Sequence, residues 1–169
     1  NRVAWVNAKE ATNWVNTTGK VSVRDGGRLG PAPQFNAQAT AEFKKLGDSD
    51  RQDAFTCSTW VFVPGDYEGR AVVLSRMEEE EPGKRRGWDI QWEHRHYSIH
   101  LISDWPNDAI RLRTRNQSAG RGSWQHLTLT YDGSSRPEGV RLYVDGNAVE
   151  IEVDRVRQLS GSIRTRQPF

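Results

Sequence analysis

Apolar and polar residues alternate along most of the chain in short runs broken by Gly, Pro, Asp and Asn, the period-two pattern of strands with one buried face. Trp88-Asp-Ile90-Gln-Trp92-Glu93, Tyr97-Ser-Ile99-His-Leu101 and Ile110-Arg-Leu112-Arg-Thr114 share this design. Trp124–Tyr131 continues it, with Leu127, Leu129 and Tyr131 inward. Earlier strands are expected at Val21–Val23, Gln34–Ala37, Thr40–Phe43, Ala54–Val63 and Arg70–Met77, with Pro31-Ala-Pro33 delaying the second of these. Within Ala54–Val63, Phe55, Cys57, Thr59, Val61 and Val63 share one face, while Trp60 and Phe62 take the other. Residues 1–20, which hold Trp5, Val6, Trp14 and Val15, read as a lead-in, either a short helix or irregular.

The sharpest local signal is Asp145-Gly146 between Val140–Val144 and Ala148–Val153, a two-residue type I′ hairpin turn. That register sets Leu142 against Val149, Val140 against Ile151 and, on the other face, Arg141 against Glu150. Many short strands, each with one apolar face, predict an all-β fold: a two-sheet antiparallel β-sandwich or jelly roll occupying residues 21–169. At 169 residues one domain suffices.

Composition narrows the function classes. The 24 Lys+Arg nearly balance the 22 Asp+Glu, so there is no basic field to favour nucleic acid as a partner. No apolar stretch approaches the roughly 18 residues of a spanning helix, so no membrane span is expected. The single cysteine, Cys57, excludes an internal disulfide and reads as an inert core thiol. Glu78–Arg86, four Glu followed by Pro-Gly and Lys-Arg-Arg, reads as a solvated loop. Asn1 opens the chain with neither a signal peptide nor an initiator Met, the look of an excerpt from a longer protein.

Three groups invite a chemical reading. Glu150, Glu152 and Asp154 recur at every second residue, as the paired acids of a glycosidase would, but Arg141, Arg155 and Arg157 lie ready to neutralise them. His94 and His96 have a metal-like spacing, yet fall at a turn where they need not share a face. The loop Asp104-Trp-Pro-Asn-Asp108 sets an aromatic ring beside oxygen donors, suited to stacking on a sugar or holding calcium; the plainer reading has Trp105 plugging the sandwich end and the loop's polar groups bonding within the turn. The outward positions Gln91, Glu93, His100, Arg111, Arg113, His126, Thr128, Thr130, Arg141 and Tyr143 are expected to form a polar, donor-rich face. Within it, His100, Arg111, Arg113 and Tyr143, together with Trp105, are the candidate ligand contacts.

Trp124-Gln-His-Leu-Thr-Leu-Thr-Tyr-Asp-Gly133, Gly139-Val-Arg-Leu-Tyr-Val-Asp-Gly146 and Phe55-Thr-Cys-Ser-Thr-Trp60-Val resemble the laminin-G-like domains of the concanavalin A-like lectin/glucanase superfamily. Arg86-Gly-Trp-Asp-Ile90 and His100–Ile110 resemble, within it, the module embedded in planctomycete multidomain proteins that also carry cytochrome-c-like domains. The resemblance implies a jelly roll in an exported parent protein, acting as a non-catalytic module that binds polysaccharide or glycoprotein, or as a spacer packed on other domains of its parent. It implies no cofactor, although some relatives bind through calcium. It supplies no catalytic residue: the glucanase pattern Glu-Ile-Asp-x-x-Glu is replaced here by Glu150-Ile-Glu152-Val-Asp154, so a glycoside hydrolase is the remote alternative. Family members usually add strands beyond the position of Phe169, so the sandwich is expected to lack its last strands and to leave a sheet edge open.

Overall fold

The computed structural model describes residues 15–36, 39–43, 46–156 and 159–169. Of the expected lead-in, residues 1–14 lie outside these, as does Ala37. Among the described residues thirteen strands follow one another: β1 (Val15–Thr18), β2 (Val21–Gly27), β3 (Gly30–Phe35), β4 (Thr40–Phe43), β5 (Phe55–Phe62), β6 (Arg70–Glu81), β7 (Lys84–Glu93), β8 (His96–Asp104), β9 (Asp108–Thr114), β10 (Trp124–Tyr131), β11 (Val140–Val144), β12 (Asn147–Val149) and β13 (Ile151–Val156). They fall into two compact units, residues 1–47 with 167–169, and Asp48–Arg166.

The first unit holds two antiparallel pairs, β1 with β4 and β2 with β3. Phe169 extends the former, exchanging backbone hydrogen bonds of 2.8 and 3.1 Å with Phe43. Contrary to the expected delay, Pro31 and Pro33 lie inside β3. A two-stranded ribbon tolerates them because alternate N–H groups point away from the partner strand.

The second unit is the antiparallel β-sandwich. One sheet has the order β12-β11-β10-β5, the other β13-β9-β8-β7-β6. Period-two alternation sends Trp88, Ile90, Trp92, Tyr97, Ile99, Leu101, Ile110 and Leu112 from the larger sheet into the seam to meet Leu127, Leu129, Tyr131, Val140 and Leu142 from the smaller, all buried. Phe55 spans the layers, its ring centroid 4.9 Å from that of Trp88 and 5.5 Å from that of Tyr131. Cys57 faces the same seam opposite Leu129, and burial pushes its thiol pKa up to about 12.

Two expectations are corrected. Glu78–Arg86 is the tip of a long hairpin rather than a loop: Glu78 faces Arg86, Glu79 faces Arg85 and Glu81 faces Lys84 around Pro82-Gly83. Opposite charges in register make this ladder compatible with a solvated strand pair. The Asp145-Gly146 hairpin forms with Leu142 opposite Val149 as expected, but it ends there. After Glu150 the chain enters the other sheet, where Ile151 pairs with Thr114 on β9 instead of with Val140. Arg141 therefore faces Thr130 on β10, and Glu150 bonds to Arg115 at 3.3 Å.

Candidate functional site

The outer face of the larger sheet collects polar side chains from five adjacent strands. Asp89, Gln91 and Glu93 alternate outward on β7, facing His100, Ser98 and His96 respectively on β8. His100 and Ser98 in turn face Arg111 and Arg113 on β9. Arg70 at the start of β6 opposes Glu93, and β13 contributes Asp154. The floor is tightly bonded: His100 Nδ1 donates to Asp89 Oδ1 at 2.6 Å, Gln91 Nε2 to Asp89 Oδ2 at 2.7 Å, and Ser98 Oγ to Glu93 Oε2 at 3.2 Å. Arg70 reaches Glu93 at 2.6 Å, while Arg111 bridges Glu93 at 3.3 Å and Asp154 at 3.0 Å. Burial alone would raise the Glu93 pKa, but Arg70, the Ser98 hydroxyl, Arg111 and Arg113 together hold its carboxyl below the usual glutamate value.

Two donors on this face have no acceptor: the Nε–H groups of Arg111 and Arg113 are shielded from solvent and unbonded. Arg111 is otherwise occupied by its two ion pairs. Arg113 makes no hydrogen bond or ion pair among the described residues.

Trp105 closes one end of the face. Its ring stands edge-on to His100, centroids 6.1 Å apart, and the Arg85 guanidinium lies 5.0 Å from its centroid. His100 is thereby buried rather than presented. The rest of the loop bonds to the chain itself. Asp108 accepts the Ser160 and Gly161 amides, each at 2.7 Å, and Asn107 Nδ2 reaches Asp104 Oδ2 at 3.4 Å. Calcium requires six to eight oxygens. In this loop Asp108 is engaged by two amides, and among the described residues no group of three His, Cys, Asp or Glu is placed to hold a metal ion.

The ten residues expected on one polar face divide between the two outer surfaces. His100, Arg111 and Arg113, with Trp105, gather on the larger sheet, whereas Tyr143 lies on the smaller one, between Thr128 and Ala148. Alternation tells inward from outward but not one sheet from the other, which is why the set looked continuous. Tyr143 shares its surface with Trp60 and Phe62, on the second face of their strand as expected, which pair with His126 at 5.0 Å and with Trp124 at 5.5 Å. Arg70, and Asp154 in a role other than the acid of a glycosidase, join the polar face only through strand neighbours remote in sequence, which alternation does not supply.

The remaining candidates resolve locally. His94 and Arg95 form the β7–β8 turn with positive φ of 47° and 66°, and His96 Nδ1 lies 2.8 Å from Thr114 O. Among the described side chains, Glu150 and Glu152 are paired with Arg115 and Asp154 with Arg111, while Arg157 and the side chain of Arg155, also expected to neutralise these acids, lie outside the described residues.

A search of the curated proteins finds no match to this sequence. A laminin G family model, described as concanavalin A-like lectin/glucanases superfamily, matches residues 33–163. That span covers most of the chain, including both sheets of the sandwich and the signature segments around Trp124 and Asp145. The chain therefore belongs to the laminin-G-like proteins of the concanavalin A-like lectin/glucanase superfamily.

Proposed function

We propose that this chain is a non-catalytic binding module for carbohydrate or glycoconjugate, working within a larger exported protein. The observation that carries the reading is the group of half-buried donors on the outer face of the larger sheet, Gln91, Arg111 and Arg113, on adjacent strands with the Trp105 ring at one end. Sugars are held by hydrogen bonds to ring hydroxyls and by aromatic stacking, and this face offers both.

A hydrolase on the same face would need one carboxyl kept protonated beside a second that is ionised. Glu93 is instead held ionised by arginines, and Asp89 is bonded to His100 and Gln91. This argues for binding without cleavage.

Calorimetric titration with a panel of oligosaccharides tests the reading. Binding is expected, unaccompanied by product release, and Trp105→Ala and Gln91→Ala should each weaken it about tenfold, the effect of losing one contact of roughly 1.4 kcal/mol. No binding to any glycan would leave the spacer role. That second reading has its own support in the partly exposed Phe62, Trp124, Trp60 and Tyr143 on the smaller sheet, an aromatic surface suited to packing on a neighbouring domain.

A further inference from the structure

Arg113 has no hydrogen-bond or ion-pair partner among the described residues. Its two cross-strand neighbours are Ser98 on β8 and Glu152 on β13. Both are engaged elsewhere: the Ser98 hydroxyl donates to Glu93, and Glu152 turns to Arg115 at 3.9 Å. An arginine side chain that leaves a solvent-shielded N–H without an acceptor is an exception that calls for a physical account. The neighbouring Arg111 leaves its own Nε–H unbonded in the same way.

A shielded Nε–H is out of an external ligand's reach, so what Arg113 offers outward is its pair of Nη groups, and charge defines what would satisfy those. Arg70 and Arg111 are ion-paired with Glu93 and Asp154, and Asp89 is bonded to His100 and Gln91, which leaves Arg113 as the arginine of the cluster with no ion pair among the described residues. Its planar fork pairs with a carboxylate through two parallel N–H bonds, charge-assisted and stronger than any bond to a neutral hydroxyl. Glu93 lies near enough for the two charges to interact, and it disfavours a multiply charged ligand there.

We propose that Arg113 anchors the carboxylate of an acidic sugar, so that the glycan recognised on this face carries a uronate residue. The assignment rests on the carbohydrate reading and narrows it to a substrate class.

The test is a titration with galacturonate, glucuronate and mannuronate trimers, each beside its methyl ester, on the intact chain and on Arg113→Gln and Arg113→Lys. At least one acid is expected to bind about tenfold or more tightly than its ester, with the difference shrinking as salt rises. Arg113→Gln should abolish that preference, bringing acid and ester to the same, weaker affinity. Arg113→Lys should keep part of it, because the charge stays and the fork is lost; it also serves as the measure if the glutamine variant does not fold. Equal affinity for acid and ester, or a preference that survives Arg113→Gln, overturns the uronate assignment and leaves the carbohydrate reading standing. Equally tight binding of a tetraglutamate peptide overturns it in favour of an acidic protein partner. Should neither acid nor ester bind, while neutral oligosaccharides also fail, both readings fall.

Discussion

Leu142 lies directly across from Val149, and the turn between them has Asp145 at φ 51° and Gly146 at φ 80°. The Asp145 carboxylate also accepts the His126 amide at 2.8 Å, tying the turn to β10. Gly146→Ala should destabilise the fold by about 1–2 kcal/mol through the left-handed conformation alone, since a Cβ there meets no neighbour within 4 Å. Asp145→Asn should cost less than Asp145→Ala, because asparagine tolerates positive φ and keeps an acceptor. Urea unfolding midpoints would check the ordering, and equal losses for the two Asp145 variants would refute this account of the turn.

Gly87 presents a harsher case. It sits on β7 opposite Met77 with φ 127°, and a Cβ there would run into the Arg76 carbonyl oxygen and lie 2.9 Å from the Met77 Cα. Both obstacles are backbone, which cannot move aside as a side chain would. Gly87→Ala is expected to cost about 3 kcal/mol or more, well beyond Gly146→Ala. Thermal melts of the two variants side by side should show the difference.

Asp108 and Asp50 give the fold an acid limit. Burial would raise both carboxyls, but Asp108 is outweighed by the Ser160 and Gly161 amides with the Ser160 and Ser103 hydroxyls, and Asp50 by the Arg51 amide, the Ser162 hydroxyl, the Ile163 amide and the Arg164 charge. Both therefore sit below the roughly 3.9 of an unfolded aspartate. With the folded pKa the lower one, the stabilisation is complete above that unfolded value and disappears as pH falls through the folded value. Asp108→Asn should lose about 1–3 kcal/mol at pH 7 and show a shallower decline in acid. An asparagine variant with the parent's acid slope would refute the linkage.

Cys57 should be chemically silent in the folded protein. With a pKa of about 12, only on the order of one thiol in a hundred thousand is ionised at pH 7, and the thiolate is the reactive form. A disulfide reagent such as dithiobis-nitrobenzoate should label the chain only after denaturant is added. Rapid labelling under native conditions would show that the strand opens.

The sandwich was legible because its signal is local. Trp88, Ile90 and Trp92 alternate inward as read, and Asp145-Gly146 forms its hairpin. What alternation cannot specify is the pairing partner. Ile151 and Val153 show the same pattern whether they lie beside β11 or β9, and only the structure reveals that Glu150 marks the change of sheet. Glu78–Arg86 misled for a related reason, since a charge run is equally at home in a solvated loop and in a ladder of opposite charges. At the candidate site, the outward positions of Arg111 and Arg113 could be read, but the ion pairs that occupy one and bypass the other depend on Arg70 and Asp154, on strands far off in sequence.

The tail of the sandwich is gripped in part by its main chain: Asp108 takes the amides of Ser160 and Gly161, and Asp50 takes that of Ile163. A clasp that holds peptide groups is nearly blind to the side chains they carry, but here the Ser160 and Ser162 hydroxyls also bond to those aspartates and Leu159 and Ile163 are buried, so drift is confined to exposed positions such as Arg166. Gly161 is the fixed point, since any side chain there would collide with the Ser103 hydroxyl. The selective constraint is thus shared between two aspartates distant in the chain and the hydroxyl and buried side chains of the segment they hold.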